Sequence, residues 1–519
     1  MELKLFYNFK ILKDFQSKNK FNALIVSKNK FSQFGEFVTL KNLYPSIEII
    51  DLKGRLILPG FNDSHIHIWK VGNLMTYMLD LSGVNNFEEI KSRIENFNKT
   101  YNPKWIIARG FNELKLDEKI IPDKIFLDTI NIDKPITLIR NCAHIITNNS
   151  LALKHSNISN STEIPNGGEI RRDSKNNISG ILTERAIGLV MNNFPKYEYS
   201  EYEKMILVAQ DELIKKGITS ATDPAVHPEL IEVYKEMDRK KLLKIRINAI
   251  PIKIPDGISE EYPLPEIYQS AFLTINTLKY FSDGGLSGMT AAVSTPYKNT
   301  NYNGVLRIEK NQFLKSATEG VKNGFKIATH AIGDVAINMV LDVYEELAKI
   351  SNRKNRIEHF GIADDKIINR AKNIGVDIST QPIFIKELGD NFVNSINESE
   401  LVKVYPFKKL FEAGIPVSFS SDAPVVKDYN PFVGIYSAVT RKTDSGKSIS
   451  ENEKCTITQS IIAFTKNSAI LDGVENKGEI AENQFVDFIV LDYYKDEISE
   501  NDLLEMKVEE VFIGGMKAL

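Results

Sequence analysis

The chain has 519 residues, of which 42% are hydrophobic and 26% charged, a composition that supports a large buried core and excludes a disordered or fibrous chain. A net charge of −3, from 65 basic and 68 acidic residues, gives no electrostatic reason to expect nucleic acid or an anionic membrane as partner. Two cysteines, Cys142 and Cys455, make no disulfide framework and point to a reducing, cytoplasmic compartment.

The N-terminal MELKLFYNFKILKDFQSKNK interleaves lysine with apolar residues and lacks the uninterrupted apolar core of a signal peptide. No stretch reaches the roughly 18 apolar residues of a membrane span. Short strands are expected at LKLFYNF, ALIVSKN, EFVTL and IEIIDL, separated by Asn, Lys and Ser clusters. Near the other end, FVDFIVLD and VEEVFIGGMKAL read the same way. Residues 1–55 and 480–519 are therefore expected to form one composite β-sandwich.

Between the ends lie eight strand candidates: RLILPGFNDSHIH, GITSATDPA, KIRINAIPI, TLKYFSD, KIATHA, RIEHFG, GVDISTQ and IPVSFSSDA. Stretches such as VAINMVLDVYEELAKI and DDKIINRAKNI carry apolar residues at helical spacing. Strands alternating with helices imply parallel βαβ units, and eight of them predict a TIM-like (β/α)8 barrel over residues 56–79 and 191–479. One barrel helix cannot consume the chain between the first strand and the second. Residues 80–190 are accordingly expected to be an inserted α+β cap, with NGGEIRRDSKNNISGILTE as a hairpin turning near Asp173–Asn177.

The chemistry concentrates at strand ends. His65 and His67 follow the apolar run LILPG and, as residues i and i+2 of a strand, share a face about 7 Å apart. Alone, such a pair is equally at home in an ordinary loop. His330 ends KIATHA and His359 ends RIEHFG, so four of the seven histidines sit at the C-terminal ends of three expected strands, where barrels place their active sites. Asp422 ends the eighth strand, where a carboxylate can bind a divalent ion or take a proton; its alternative is a turn aspartate before Pro424. Asp63 and Asp283 compete for acid roles, as supporting or purely structural groups. Lys279 lies inside the apolar strand TLKYFSD, where burial disfavours the cation and frees the amine to form a carbamate; pairing with Asp283 is the alternative.

PGFNDSHIH, LKYFSDGGLSGMTAA, KIATHAIGDVAINMVLDVYE, RIEHFGIADDKIINRAKNIGVDISTQP and SFSSDAPVVKDYNPFVGIYSAVTRK, in that order, resemble the amidohydrolase superfamily. The likeness is to amidohydrolase family 3, which includes N-substituted formamide deformylase-like enzymes, and it runs from about Leu56 to Asp492. It implies one or two divalent ions, zinc above all with manganese, iron or nickel as alternatives, held by His65, His67, His330, His359 and Asp422. Lys279 falls where the family carries a bridging carbamylated lysine, and His144 where a substrate-facing histidine is expected. Met289 and Thr222-Asp223 depart from the family's arginine and His-Asp pair, positions that could touch substrate. The implied activity is hydrolysis of a non-peptide carbon–nitrogen bond of a small molecule by activated water, with Asp422 as the catalytic base. Ester or lactone hydrolysis, or isomerisation on the same barrel, is the alternative. Family members often associate, so a homo-oligomer is compatible with the resemblance.

Overall fold

The structure is a computed structural model that describes residues 3–15, 21–140, 145–165, 168–255, 260–474 and 476–519. The chain divides into two compact units, one of Met1–Ile68 with Gln210–Leu519 and the other of Trp69–Ala209.

In the first unit, strands from both ends of the chain make one seven-stranded sheet. Its order is Met516–Lys517, Val508–Ile513, Phe488–Leu491, Glu48–Pro59, Leu3–Lys10, Ala23–Ser27 and Lys30–Gly35. The ends meet where Pro59, Leu58 and Ile57 pair antiparallel with Phe488, Ile489 and Val490. Aromatic packing holds the seam: Phe488 stacks on Phe512 at 4.6 Å, and Phe6 sets its edge against both, at 5.4 and 5.2 Å.

Two sequence expectations change here. EFVTL is not a strand; Phe37–Leu43 is a helix that buries Leu40. Asn22 decides this by accepting a hydrogen bond from the Phe37 amide at 2.7 Å while donating to Glu36 at 2.7 Å, which fixes a helical entry that propensity does not encode. The first barrel candidate is also not one strand. Glu48–Pro59 belongs to the terminal sheet, and only Phe61–Asp63 pairs with Ile218–Val226. Gly60 makes the break, because a Cβ there would lie 2.3 Å from Thr219 Oγ1.

The remaining strands of this unit form two five-stranded sheets. In one, Phe61–Asp63, Ile218–Val226, Arg246–Pro251 and Leu273–Ile275 run parallel, with Tyr268–Gln269 added antiparallel. In the other, Thr277–Phe281, Lys326–Ala331, Arg356–His359, Asp377–Thr380 and Val417–Phe419 are all parallel. A single parallel bridge, Ile252 to Lys279, joins the two sets. Helices alternate with these strands as their apolar spacing predicts. Asp334–Ala348 buries Ala336, Ile337, Val340, Leu341, Tyr344 and Leu347. Asp365–Ile374 starts where Asp364 accepts from the Ile367 amide and stops at Gly375, whose φ of 81° only glycine adopts without strain.

The second unit is an α+β body around a six-stranded mixed sheet. The expected hairpin is present as Gly168–Arg172 and Ile178–Glu184, with Asp173 Oδ1 accepting from the Lys175 and Asn177 amides in the turn. Among the described residues, no helix is long and apolar enough to cross a membrane.

Candidate metal centre

The parallel strands bring distant polar side chains to their C-terminal ends. His65 and His67 follow Phe61–Asp63, His330 lies in Lys326–Ala331, His359 closes Arg356–His359, and Asp422 lies three residues beyond Val417–Phe419. Backbone bonds tie the first and last of these segments together: the Asp422 amide donates to His65 O at 2.7 Å, and the His67 amide to Ala423 O at 2.9 Å.

Ligand atoms of His65, His359 and Asp422 all lie within 4.8 Å of one another, and all three residues are buried. Asp422 Oδ1 is 3.5 Å from His65 Nε2 and 3.4 Å from His67 Nε2. Those separations exceed the roughly 2.7–3.2 Å of a normal N–H···O bond. They match the spacing of about 3.3–3.4 Å between donors of a tetrahedral ion with bonds of about 2.0–2.1 Å. Asp422 Oδ1 is buried without a hydrogen-bond partner in the protein, an arrangement that is expensive unless something electropositive sits beside it. The His330 ring packs 4.5 Å from that of His359, so it borders the cluster. Its Nε2 faces Gly284 O at 3.0 Å, outside the tight triad.

The far nitrogens of the histidines are engaged. His65 Nδ1 meets Glu358 Oε2 at 2.5 Å, and His359 Nδ1 meets Gln381 Oε1 at 2.7 Å. With Nδ1 donating to an oxygen, Nε2 keeps its lone pair, the tautomer a metal ligand needs. Charge states agree. Burial, with the charges of His65 and Lys279, pushes His359 down to about 3, and burial, with His359 and Lys279, takes His330 well below its usual value. Burial alone would raise Asp422, but His65, His67 and His359 hold it below the usual carboxylate range. Burial would likewise raise Glu358, and Arg356, His65 and Lys279 hold it well below that range. His330 and His359 are therefore neutral, Asp422 and Glu358 are ionised, and with the Nε2 atoms of His65 and His67 beside Asp422 Oδ1 they make a donor set that fits a divalent ion.

Backbone conformation contributes. His359 has φ 75° and Asp422 φ 60°, both left-handed, which costs about 1–3 kcal/mol per non-glycine residue. Glu358 and His359 would face opposite sides of an ideal strand. The left-handed turn at His359 breaks that alternation, and both now approach His65, with the His65 and His359 rings 4.9 Å apart.

Lys279 is 1% exposed, and its Nζ has no hydrogen-bond partner. It lies 4.9 Å from the Phe281 ring centre, and burial pulls its amine down to about 8. The alternative pairing with Asp283 is not made. Asp283 accepts from the Ala292, Ile332 and Gly333 amides, bracing the loop after His330. Asp63 accepts from the His65 and Ser421 amides, so it is a clasp between the first and last segments. Burial raises both aspartates to about 7.

Thr222 donates to Asp472 and is a buried framework residue, whereas Asp223 accepts from Tyr234 OH at 2.5 Å and sets its Oδ1 3.9 Å from His67 Nδ1, so it stands buried behind the metal-centre histidine. Met289 is 39% exposed in a loop. His144 and Cys142 lie outside the described residues. Sequence reading missed Glu358, Gln381 and Arg356. The available signal was Arg356 and Glu358 alternating in a short strand that leads into His359, where burying two charges is costly without a task.

The profile of the amidohydrolase family matches residues 48–516. YtcJ of Bacillus subtilis (strain 168) is 28% identical over 93% of this chain and 94% of that protein. N-substituted formamide deformylase of Arthrobacter pascens is 25% identical over 95% of this chain and 94% of that enzyme. Among solved structures, an uncharacterized metal-dependent hydrolase from Pyrococcus horikoshii OT3 superimposes with a TM-score of 0.81 at 26% identity, covering 96% of this chain and 99% of that one. With the match spanning nearly the whole chain, this protein belongs to the amidohydrolase family and is a hydrolase.

Proposed function

We propose that the protein hydrolyses an amide-type carbon–nitrogen bond of a small molecule, using a divalent ion held at the C-terminal ends of a closed (β/α)8 barrel. The observation that carries this reading is the convergence of His65, His67, His359 and the partnerless Asp422 Oδ1 from three strand ends. Closure is supported by the four parallel strands of one sheet and the five of the other, by the Ile252–Lys279 bridge, and by Ser64 Oγ lying 2.8 and 2.9 Å from Ser379 and Ser418. Counting Leu273–Phe281 as one interrupted strand leaves eight parallel strands. The terminal sheet is read as the composite sandwich of the same architecture.

His65, His67, His359 and Asp422 would hold the ion, with His330 and Lys279 at its border. Zinc suits this imidazole-rich set. When bound, such an ion acidifies water toward a pKa of about 7 and polarises a carbonyl. Asp422 remains a carboxylate at neutral pH because the imidazoles around it favour its charge. It therefore accepts the proton of the attacking water and returns it to the leaving nitrogen. His359 and His330 stay neutral and exchange no proton.

Lys279 is proposed to react as the free amine with carbon dioxide, its nitrogen lone pair forming the new N–C bond as one C=O π pair moves onto oxygen to give the carbamate anion, and the proton lost from nitrogen passing to solvent. Its depressed pKa and partnerless Nζ support this, because an amine brought down to about 8 is neutral in a larger fraction of molecules near neutral pH than an ordinary lysine, and the carbamate would gain a cation to face. The buried free thiol of Cys455 accords with a cytoplasmic setting.

The test is metal content of the purified protein together with turnover of a panel of N-formyl and N-acyl amides, esters and lactones. Zinc co-purifying with amide turnover that a chelator removes and zinc restores is the expected result. A protein that binds no divalent ion overturns the reading. Turnover confined to esters or lactones overturns the amide assignment and keeps the metal centre.

A further inference from the structure

We propose that Arg356 is a positioning residue that fixes His65 in its ligating orientation from two sides, an inference that rests on the metal-centre reading above. Arg356 opens its strand at the end remote from the imidazoles and is 1% exposed. Its guanidinium reaches the two groups that flank His65. Nε and Nη2 donate to the Glu358 carboxylate at 2.6 and 3.0 Å, and that carboxylate holds His65 Nδ1 at 2.5 Å. Nη2 also donates to Ser64 O at 2.7 Å, the carbonyl immediately before His65. One planar group therefore restrains both the ring of His65, through Glu358, and its backbone.

The remaining nitrogen shows where the fork's effort goes. Nη1 makes no hydrogen bond and lies 4.0 Å from Asp472 Oδ1. Asp472 accepts instead from Asn62, Thr222, Asn248 and Lys477. A residue kept only to neutralise buried charge would spend its donors on Asp472 as well as Glu358. Arg356 spends three contacts on the neighbours of His65. Lysine could retain the charge but not the planar fork, so it could not grip Glu358 bidentately and Ser64 O together.

The test uses the full-length protein stripped of metal and titrated with Co²⁺, read by chelator competition and by the visible absorption of the bound ion. Wild type, Arg356→Lys and Glu358→Gln are compared, with the melting temperature of each. Removing such a supporting contact weakens metal affinity by about 10–100-fold. Both variants are expected to fall in that range, with an altered Co²⁺ spectrum as the His65 ring turns. Wild-type Co²⁺ affinity in Arg356→Lys, even at a lowered melting temperature, leaves Arg356 a purely structural role and overturns the proposal. Should Arg356→Lys not fold, the neutral pair Arg356→Gln/Glu358→Gln replaces it. It must bind Co²⁺ more weakly than Glu358→Gln alone, because the Ser64 grip is lost too; equality overturns the proposal. A wild-type protein that binds no Co²⁺ would instead sink the metal-centre reading on which the proposal stands.

Discussion

Replacing Lys279 by methionine isolates the energetics of the candidate centre. In the metal-free protein its ammonium is buried, has no hydrogen-bond partner and is pulled from 10.5 to about 8 by burial, with Glu358 and Asp422 only partly opposing this. At about 1.36 kcal/mol per unit, that shift corresponds to about 3 kcal/mol by which the charged form destabilises the fold. The folded pKa lies below the unfolded one. The penalty is therefore complete below pH 8. Between the two values the unfolded chain holds the extra proton, so stability rises with pH and the penalty is gone above 10.5. Methionine matches the length of the lysine stem and carries no charge. Metal-free Lys279→Met is thus expected to melt above metal-free wild type at neutral pH, by an amount equivalent to at most about 3 kcal/mol. The gap should close as the pH rises toward 10.5. The assay is scanning calorimetry of chelator-treated protein in carbon dioxide-free buffer at both pH extremes. A variant that melts at or below wild type at neutral pH would refute the account of Lys279 as a strained buried amine. The same substitution removes the nitrogen a carbamate needs, so bicarbonate should raise metal loading of wild type and not of Lys279→Met.

Asp422→Asn should lower kcat by about 10²–10⁴-fold while calorimetry shows an intact fold and metal analysis shows much of the ion retained; undiminished turnover would remove Asp422 from the proton-transfer role. Cys455 is buried and its thiol pushed up to about 12, so mass spectrometry should find it unalkylated in the native protein and modified after denaturation. Labelling at native conditions would contradict its burial. Gly333→Ala should destabilise by about 1–3 kcal/mol or more, because its Cβ would lie 1.9 Å from Ala292 O. Since Asp283 ties Ala292, Ile332 and Gly333 together beside His330, metal affinity should fall with the melting temperature, and an unchanged melting temperature would disprove the steric argument.

The strands and most helices were legible because burial imposes periodicity on sequence. KIATHA, RIEHFG and GVDISTQ stand where Lys326–Ala331, Arg356–His359 and Asp377–Thr380 form, and DDKIINRAKNI carries its own cap and is followed at once by its stop, Gly375. Two elements escaped that logic. Phe37–Leu43 turned helical because Asn22, fifteen positions earlier, takes the Phe37 amide. The run RLILPGFND split because Gly60 must pass against Thr219. Neither partner is a sequence neighbour, so no local pattern could announce it.

The sequence alone determined which residue types stand at the strand ends, since parallel strands put His65, His67, His330, His359 and Asp422 at equivalent positions in repeating units. Only the tertiary structure decided which of them converge closely. It drew His65, His359 and Asp422 within 4.8 Å, left His330 bonded to Gly284 O, and turned His359 against strand alternation, through its own left-handed backbone, toward the His65 that Glu358 already holds. The reason is physical: periodicity fixes the face a side chain takes, while ring orientation and hydrogen-bond partners depend on groups hundreds of residues away.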